Sequence, residues 1–287
     1  LIIWGGGHGD YGGNEIYTFD ANTLKWSRPW GPSPSIPDPL GAPCHITYTD
    51  GNPVSRHTYS GLQYAPNVDK FWIQGGSLAC GGGGAGNDTW TFDFSALKWT
   101  QKQNIPQTQL GVQTAYDPVT GHIFEQSMTK CFEYDPIGNT WTQRGDVGGD
   151  LGERNRTAVI DPINRYFVSI GNGQFFVWDL KTFRYFTPTT SGVSGLQNTN
   201  APGLDYDPIS KKIILWKGGT DVYSLDTTTW TWARIAAAST NTVVPTSPTA
   251  TGTFGRFRYV PSKNEFILVN SVYGNVYIYK LSSGTGL

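Results

Sequence analysis

One phrase recurs five times along this chain: an aromatic or apolar residue, an aspartate, and an indole or phenol six residues after the aspartate. The copies are Phe19-Asp20 with Trp26, Phe92-Asp93 with Trp99, Tyr134-Asp135 with Trp141, Trp178-Asp179 with Tyr185, and Leu225-Asp226 with Trp232; a sixth starts at Tyr277 and Tyr279. A second phrase, ending in a turn proline, recurs at Tyr64-Ala65-Pro66, Tyr116-Asp117-Pro118, Ile160-Asp161-Pro162, Tyr206-Asp207-Pro208 and Tyr259-Val260-Pro261. Each proline is followed by a short apolar run, such as Phe71-Trp72-Ile73 or Ile213-Ile214-Leu215-Trp216. An internal period on the order of 50 residues constrains architecture before any local propensity does, because each unit buries its apolar face only against its neighbours.

Strand, Asp-Pro turn and strand form a hairpin signal. The next strand carries the aspartate phrase, and a short turn leads to a fourth strand bearing the Trp. Helical alternatives fail, since no stretch sustains a 3.6-residue apolar period and the runs are rich in Val, Ile, Tyr, Phe and Trp. Four antiparallel strands per unit and six units describe an all-β fold, a β-propeller of six four-stranded blades. The blades are expected over 1–30, 56–103, 111–145, 154–188, 201–236 and 254–287, in a single domain spanning 1–287. The first unit starts at its second strand and the last stops after its third, so the visible ring is incomplete at both termini. A closed ring hides its edges. The expectation is therefore a further chain segment or a protein partner that completes it, with a seventh blade allowed.

The pattern resembles the Kelch-type propellers, of the kind seen in the central domain of galactose oxidase, in which a glycine pair ends the second strand and a Trp marks the fourth. Gly5-Gly6, Gly75-Gly76 and Gly218-Gly219 match that pair, and Gly171 and Gly173 match it loosely; the third and sixth units carry Gln126-Ser127 and Asn270-Ser271 instead. The resemblance covers nearly the whole chain and implies a fold. It implies no reaction, because such propellers host unrelated activities.

Bulk properties narrow the function classes. With 15% charged residues and a formal net charge of -1 the chain is no globally basic nucleic-acid binder. No apolar run approaches the roughly 20 residues that span a bilayer. Abundant Gly, Thr, Asn, Trp and Tyr with sparse Lys and Glu suggest an extracellular, cell-surface or virion setting. Cys44 and Cys80 fall in two long inter-strand segments, where a disulfide would pin both; three cysteines allow several pairings, and two unpaired thiols are the alternative. Cys131, at the start of a third strand, reads as a buried thiol.

In a propeller blade the first-to-second and third-to-fourth connections share one face. Here they are short. The long segments, Gly5–Asn14, Trp30–Ser55, Gly76–Asp88, Thr187–Ala201 and Ala236–Thr253, all belong to the opposite face, which is the expected site face. Arg56, Arg154 and Arg156 lie where inner strands start from that face, and Lys130 and Lys217 follow second strands there. Such a cationic rim implies an acidic ligand, since guanidinium forks grip carboxylates, sulfates and phosphates. Tyr11, Tyr59 and Tyr273 would stack sugar rings. Arg258 reads differently, as a structural partner of Asp205.

His8, His57 and Tyr59 are the candidate acid–base residues, because a histidine exchanges protons near neutrality and a tyrosine beside cations can act as a base. Abstraction of the proton beside a uronate carboxylate, with Arg56 neutralising that carboxylate, would make a polysaccharide lyase. The run Cys80 to Gly86 lacks the Gly-Lys-Ser/Thr of a phosphate loop, and no HExxH or paired CxxC exists, so no cofactor and no metal are expected. His8, His57, Tyr11 and Tyr59 can be cast as copper ligands of the galactose-oxidase type, but no family motif supports it. The Asp-box of sialidases and the Gly-x-Ser-x-Gly elbow of serine hydrolases are absent. The leading expectation is a recognition module for an acidic glycan or polysaccharide, with a lyase at the same face as rival and a structural protein–protein module third.

Overall fold

Five blade hairpins close on the same hydrogen bond. In each, the aspartate ending the third strand of the blade accepts the backbone N–H two residues on: Asn22 to Asp20, Ser95 to Asp93, Ile137 to Asp135 and Lys181 to Asp179 at 2.8 Å, and Thr228 to Asp226 at 3.0 Å. Such Asx turns let a short side chain replace a backbone partner. Four residues after each aspartate the backbone turns left-handed, at Leu24, Leu97, Asn139, Phe183 and Trp230. None is a glycine, so the turn dictates the conformation. The aromatic then lands directly across from the residue preceding the aspartate, pairing Phe19 with Trp26, Phe92 with Trp99, Tyr134 with Trp141, Trp178 with Tyr185 and Leu225 with Trp232. The repeated phrase thus encodes one turn and one cross-strand pair, each pair contributing about 0.2–1 kcal/mol.

The computed structural model describes residues 1–6, 11–37, 41, 43–108, 110–148, 155–271 and 273–281. The chain is an all-β, six-blade propeller whose sheets fall into two compact units, Leu1–Arg154 and Asn155–Leu287. In the first unit, sheet one is β1 (Ile2–Ile3), β2 (Ile16–Asp20) and β3 (Lys25–Trp30). A short strand β4 (Arg56–His57) precedes sheet two, which orders β5 (Leu62–Ala65), β6 (Lys70–Gln74), β8 (Thr89–Asp93) and β9 (Lys98–Lys102); the intervening β7 (Ser77–Leu78) pairs with β4. Sheet three is β10 (Gln113–Tyr116), β11 (Ile123–Ser127), β12 (Lys130–Asp135) and β13 (Thr140–Asp146).

Alternation along these strands decides what packs. Phe71 and Ile73 of β6 join Trp4, Ile16, Trp90, Phe92 and Trp99 in one core, while Trp72 between them joins Ala65, Ile123 and Tyr134 in the next. Complete burial of such side chains stabilises by roughly 1.5–3 kcal/mol each. Two residues further along the same faces come Gln74 and Glu125, both buried, whose side-chain oxygens and amide form no hydrogen bond within the protein. Burial pushes the Glu125 carboxyl well above the usual range. Neighbouring inner strands are tied by Gln63, whose Nε2 donates to Thr114 O at 2.8 Å.

In the second unit, sheet four is β14 (Thr157–Asp161), β15 (Tyr166–Gly171), β16 (Gln174–Asp179) and β17 (Arg184–Phe186). Next, β18 (Ser191–Gly192) lies parallel to the outer strand of sheet five, formed by β19 (Gly203–Asp207), β20 (Lys212–Trp216), β21 (Val222–Asp226) and β22 (Thr231–Ile235). Sheet six has β23 (Phe257–Val260), β24 (Glu265–Val269) and β25 (Val276–Tyr279). Among the described residues the first and last sheets have three strands each, as expected of a first unit that starts at its second strand and a last unit that stops after its third. Asp205 is half-buried and accepts the Tyr259 N–H at 2.8 Å; desolvation raises its carboxyl and the Arg258 charge opposes that rise.

Candidate functional site

On the first unit, three segments outside the blade strands are knit together: 11–14 with Gly5 and Gly6, 31–55, and 76–88. Asn14 is fully buried and donates from Nδ2 to Ser33 Oγ and Pro53 O, both at 2.9 Å, while its Oδ1 accepts the Ser33 N–H at 2.8 Å. Tyr48 donates its hydroxyl to Gly12 O. Cys44 and Cys80 form a disulfide with a Cα–Cα distance of 5.0 Å, so the pairing of the two long segments holds, and Cys131 is the buried free thiol. These links make a loop platform.

Arg56 lies beneath it. Its Nη1 and Nη2 donate to the two carboxylate oxygens of Asp88 at 2.9 and 2.8 Å, Nη1 also to Gly75 O and Nε to Val54 O, each at 3.1 Å. Trp90 Nε1 donates to the same carboxylate at 2.6 Å. The arginine is 1% exposed. The expectation that Arg56 grips a ligand is therefore corrected: its fork is spent on a buried bidentate pair that joins β4 to the start of β8. Gly76, with φ +91°, lets the chain pass against the His57 carbonyl where a Cβ would collide. That close approach is the physical reason for the second glycine of this pair.

Arg156 is corrected likewise. It is fully buried in the second unit, donating to the Gln174 side chain, with Cζ 5.0 Å from the Phe176 ring centroid. Lys130, half-buried at the start of β12, contributes its charge to holding Asp146 below the usual carboxylate range, after the larger effect of the Gly148 N–H. Lys217 is exposed, with Nζ 5.3 Å from the Tyr223 ring centroid, and Tyr273 is 98% exposed. His8 and Arg154 lie outside the described residues. Lys130 belongs to the first unit, and Arg156, Lys217 and Tyr273 to the second.

Of the acid–base candidates, His57 and Tyr59 stand together, edge to face with ring centroids 5.8 Å apart and both half-buried. Tyr59 has φ 47°, an uncommon conformation for a bulky residue, of a kind that clusters at functional sites. Tyr11 is 51% exposed and donates its hydroxyl to Glu15 Oε1 at 2.5 Å; Tyr17 donates to the same oxygen at 3.1 Å. The hydrogen bond to Glu15 is the main cause that raises the Tyr11 phenol to about 12, and the nearby Arg28 charge opposes it weakly. Tyr11 therefore presents a protonated, tethered ring rather than a ready base.

Beside this cluster the platform carries an open recess of about 170 Å³ lined by residues of 35–54 and Ala79. His45 stands in its wall. Glu15, Arg28, His45 and Asp88 were not singled out by sequence reasoning. Asp88 is separated from Arg56 by 32 positions, and no repeat marks it. Glu15 directly precedes β2 and follows Asn14 in a glycine-rich stretch, which is the one local signal available. Among the described residues no three His, Cys, Asp or Glu side chains gather as a metal-ligand set, and no helix is long and apolar enough to cross a membrane.

The structure defines a six-blade propeller with a cross-linked loop platform on its first unit. No known family and no curated protein matches the chain, so the platform's own chemistry carries the functional reading.

Proposed function

We propose that the protein is a recognition module for an acidic glycan or polysaccharide, working in an extracellular, cell-surface or virion setting, with the loop platform of the first unit as its binding surface. The observation that carries this is the exposed Tyr11 ring, immobilised by its hydrogen bond to Glu15 and set near the exposed Arg28. A fixed aromatic plane stacks on a sugar ring at little entropic cost, and an adjacent guanidinium supplies the counter-charge for a carboxylate or sulfate. The disulfide supports the oxidising setting. Retention on immobilised acidic polysaccharides tests the reading. Tyr11→Ala should lose retention on every polymer, and Arg28→Ala should lose it selectively on acidic ones. Unchanged retention in both variants rejects the platform as the site.

A second reading, a lyase, rests on the His57–Tyr59 pair. It would take the proton beside a uronate carboxylate and expel the neighbouring glycosidic oxygen, leaving an unsaturated sugar. Recognition ranks first because Arg56, cast as the group neutralising that carboxylate, is already neutralised by Asp88. Ultraviolet absorbance of an unsaturated uronate, lost in His57→Ala, would reverse the order.

A further inference from the structure

The recess on the platform has a chemistry of its own. Its floor is apolar: Tyr48, Val54 and Ala79 form one buried cluster with Ile36 packed against it. Ser35, Thr47 and Thr49, which carry hydroxyls, and Pro37 and Pro43 complete its lining. Among the described residues no carboxylate, lysine or arginine lines it; His45 and the Tyr48 phenol are the titratable groups there. At about 170 Å³ the space falls below the roughly 300–1,000 Å³ of pockets for drug-sized ligands. It suits one pyranose substituent or ring, not a chain of sugars.

The recess is held in shape by covalent and hydrogen-bonded links. Pro43 and His45 flank Cys44, and Ala79 precedes Cys80, so the disulfide ties two stretches of the lining together. Val54 N donates to Ile46 O at 3.0 Å and Ala79 N to Ser55 O at 2.8 Å. The floor is also coupled to the tyrosine cluster, because the Tyr48 hydroxyl donates to Gly12 O, beside Tyr11.

We infer that this recess is a subsite for the acetamido group of an N-acetylhexosamine unit, adjoining the acidic unit stacked on Tyr11. An acetamido group matches the lining part by part. Its methyl meets the Tyr48, Val54 and Ala79 floor, while its N–H and C=O meet threonine and serine hydroxyls. A carboxylate or sulfate would find no lysine or arginine among the described lining residues. The ligand class is then a polymer that alternates a uronate with an N-acetylhexosamine. The inference rests on the glycan-recognition reading above and deepens it.

Calorimetric titration separates the two. The probes are oligosaccharides of alternating uronate and N-acetylhexosamine, and uronate oligosaccharides of equal length and charge without acetamido groups. The N-acetylated probe should bind about tenfold tighter or more, the lower end of what a hydrophobic pocket gains from one methyl-sized group. Ala79→Leu, which fills the floor, should erase that preference and leave the other probe's affinity unchanged. Tyr11→Ala should weaken both probes. Thr47→Val, nearly isosteric, guards against misfolding of the first variant and should reduce the preference by itself. Equal affinity for both probes, or a preference that survives Ala79→Leu and Thr47→Val in folded protein, overturns the subsite and leaves glycan recognition standing. Absence of binding to either probe overturns both.

Discussion

At the short-turn ends of the sheets one device is used again and again, whereas on the loop platform nothing repeats. Asp20, Asp93, Asp135, Asp179 and Asp226 each accept a backbone N–H two residues away. The platform is joined instead by single, distant contacts: Arg56 to Asp88, Asn14 to Ser33 and Pro53, Cys44 to Cys80. The turns are exposed and interchangeable, so losing one leaves the others intact. The platform contacts are buried and unique, so each has no substitute. Of the two regions, the platform is therefore the one whose single contacts matter most.

The largest test of that contrast is Asp88→Ala. It strands the Arg56 guanidinium in an interior where it is 1% exposed, and removing one partner of a buried pair costs about 3–5 kcal/mol. Urea unfolding should show the loss as a lower midpoint; a loss no greater than that of a turn aspartate would erase the contrast. Next in size, Cys44→Ser with Cys80→Ser should cost about 2–4 kcal/mol. Hydrogen exchange should quicken in 43–55 and 76–88 while the blade strands keep their protection, and a uniform change would show that the bridge serves the whole unit.

Proton linkage sharpens the contrast further. Hydrogen bonds hold the turn carboxyls of Asp20 and Asp93 below the usual range, chiefly the Asn22 N–H for Asp20 and the Ser95 hydroxyl for Asp93. Their contribution is present above an unfolded-chain value of about 3.9 and is lost as pH falls through the folded value. Glu125 has the opposite sign, since burial raises its carboxyl. Its folded-state protonation stabilises fully below an unfolded value of about 4.3, and that stability is lost as pH rises towards the folded value. Glu125→Gln should raise the melting temperature at pH 7 and flatten its decline above about pH 4.3. A variant with the wild-type pH slope would remove Glu125 from the account. Smallest is Asp179→Ala, which should cost about 1 kcal/mol, the net worth of a typical hydrogen bond, measured by the same urea midpoint.

The legible part of the molecule follows from the same contrast. Phe92, Asp93 and Trp99 announce their hairpin because all three act within seven residues, so spacing alone carries the geometry. Repetition then implied six blades and the all-β propeller. The bridge between Cys44 and Cys80 was one of several pairings open to three cysteines, and only the meeting of two loops selected it. Arg56 and Arg156 read as ligand-gripping forks because their positions at inner-strand starts were visible and their partners were not. Asp88 and Gln174 look like ordinary polar residues until the strands bring them alongside.

What the sequence determined alone was therefore the repeated scaffold, because an Asx turn and a cross-strand aromatic pair are local and need no distant chain to form. The tertiary structure decided which charges remain for a ligand. Burial makes an unpaired guanidinium costly, so folding matched Arg56 with Asp88 and left the Tyr11 ring and the exposed Arg28 at the surface.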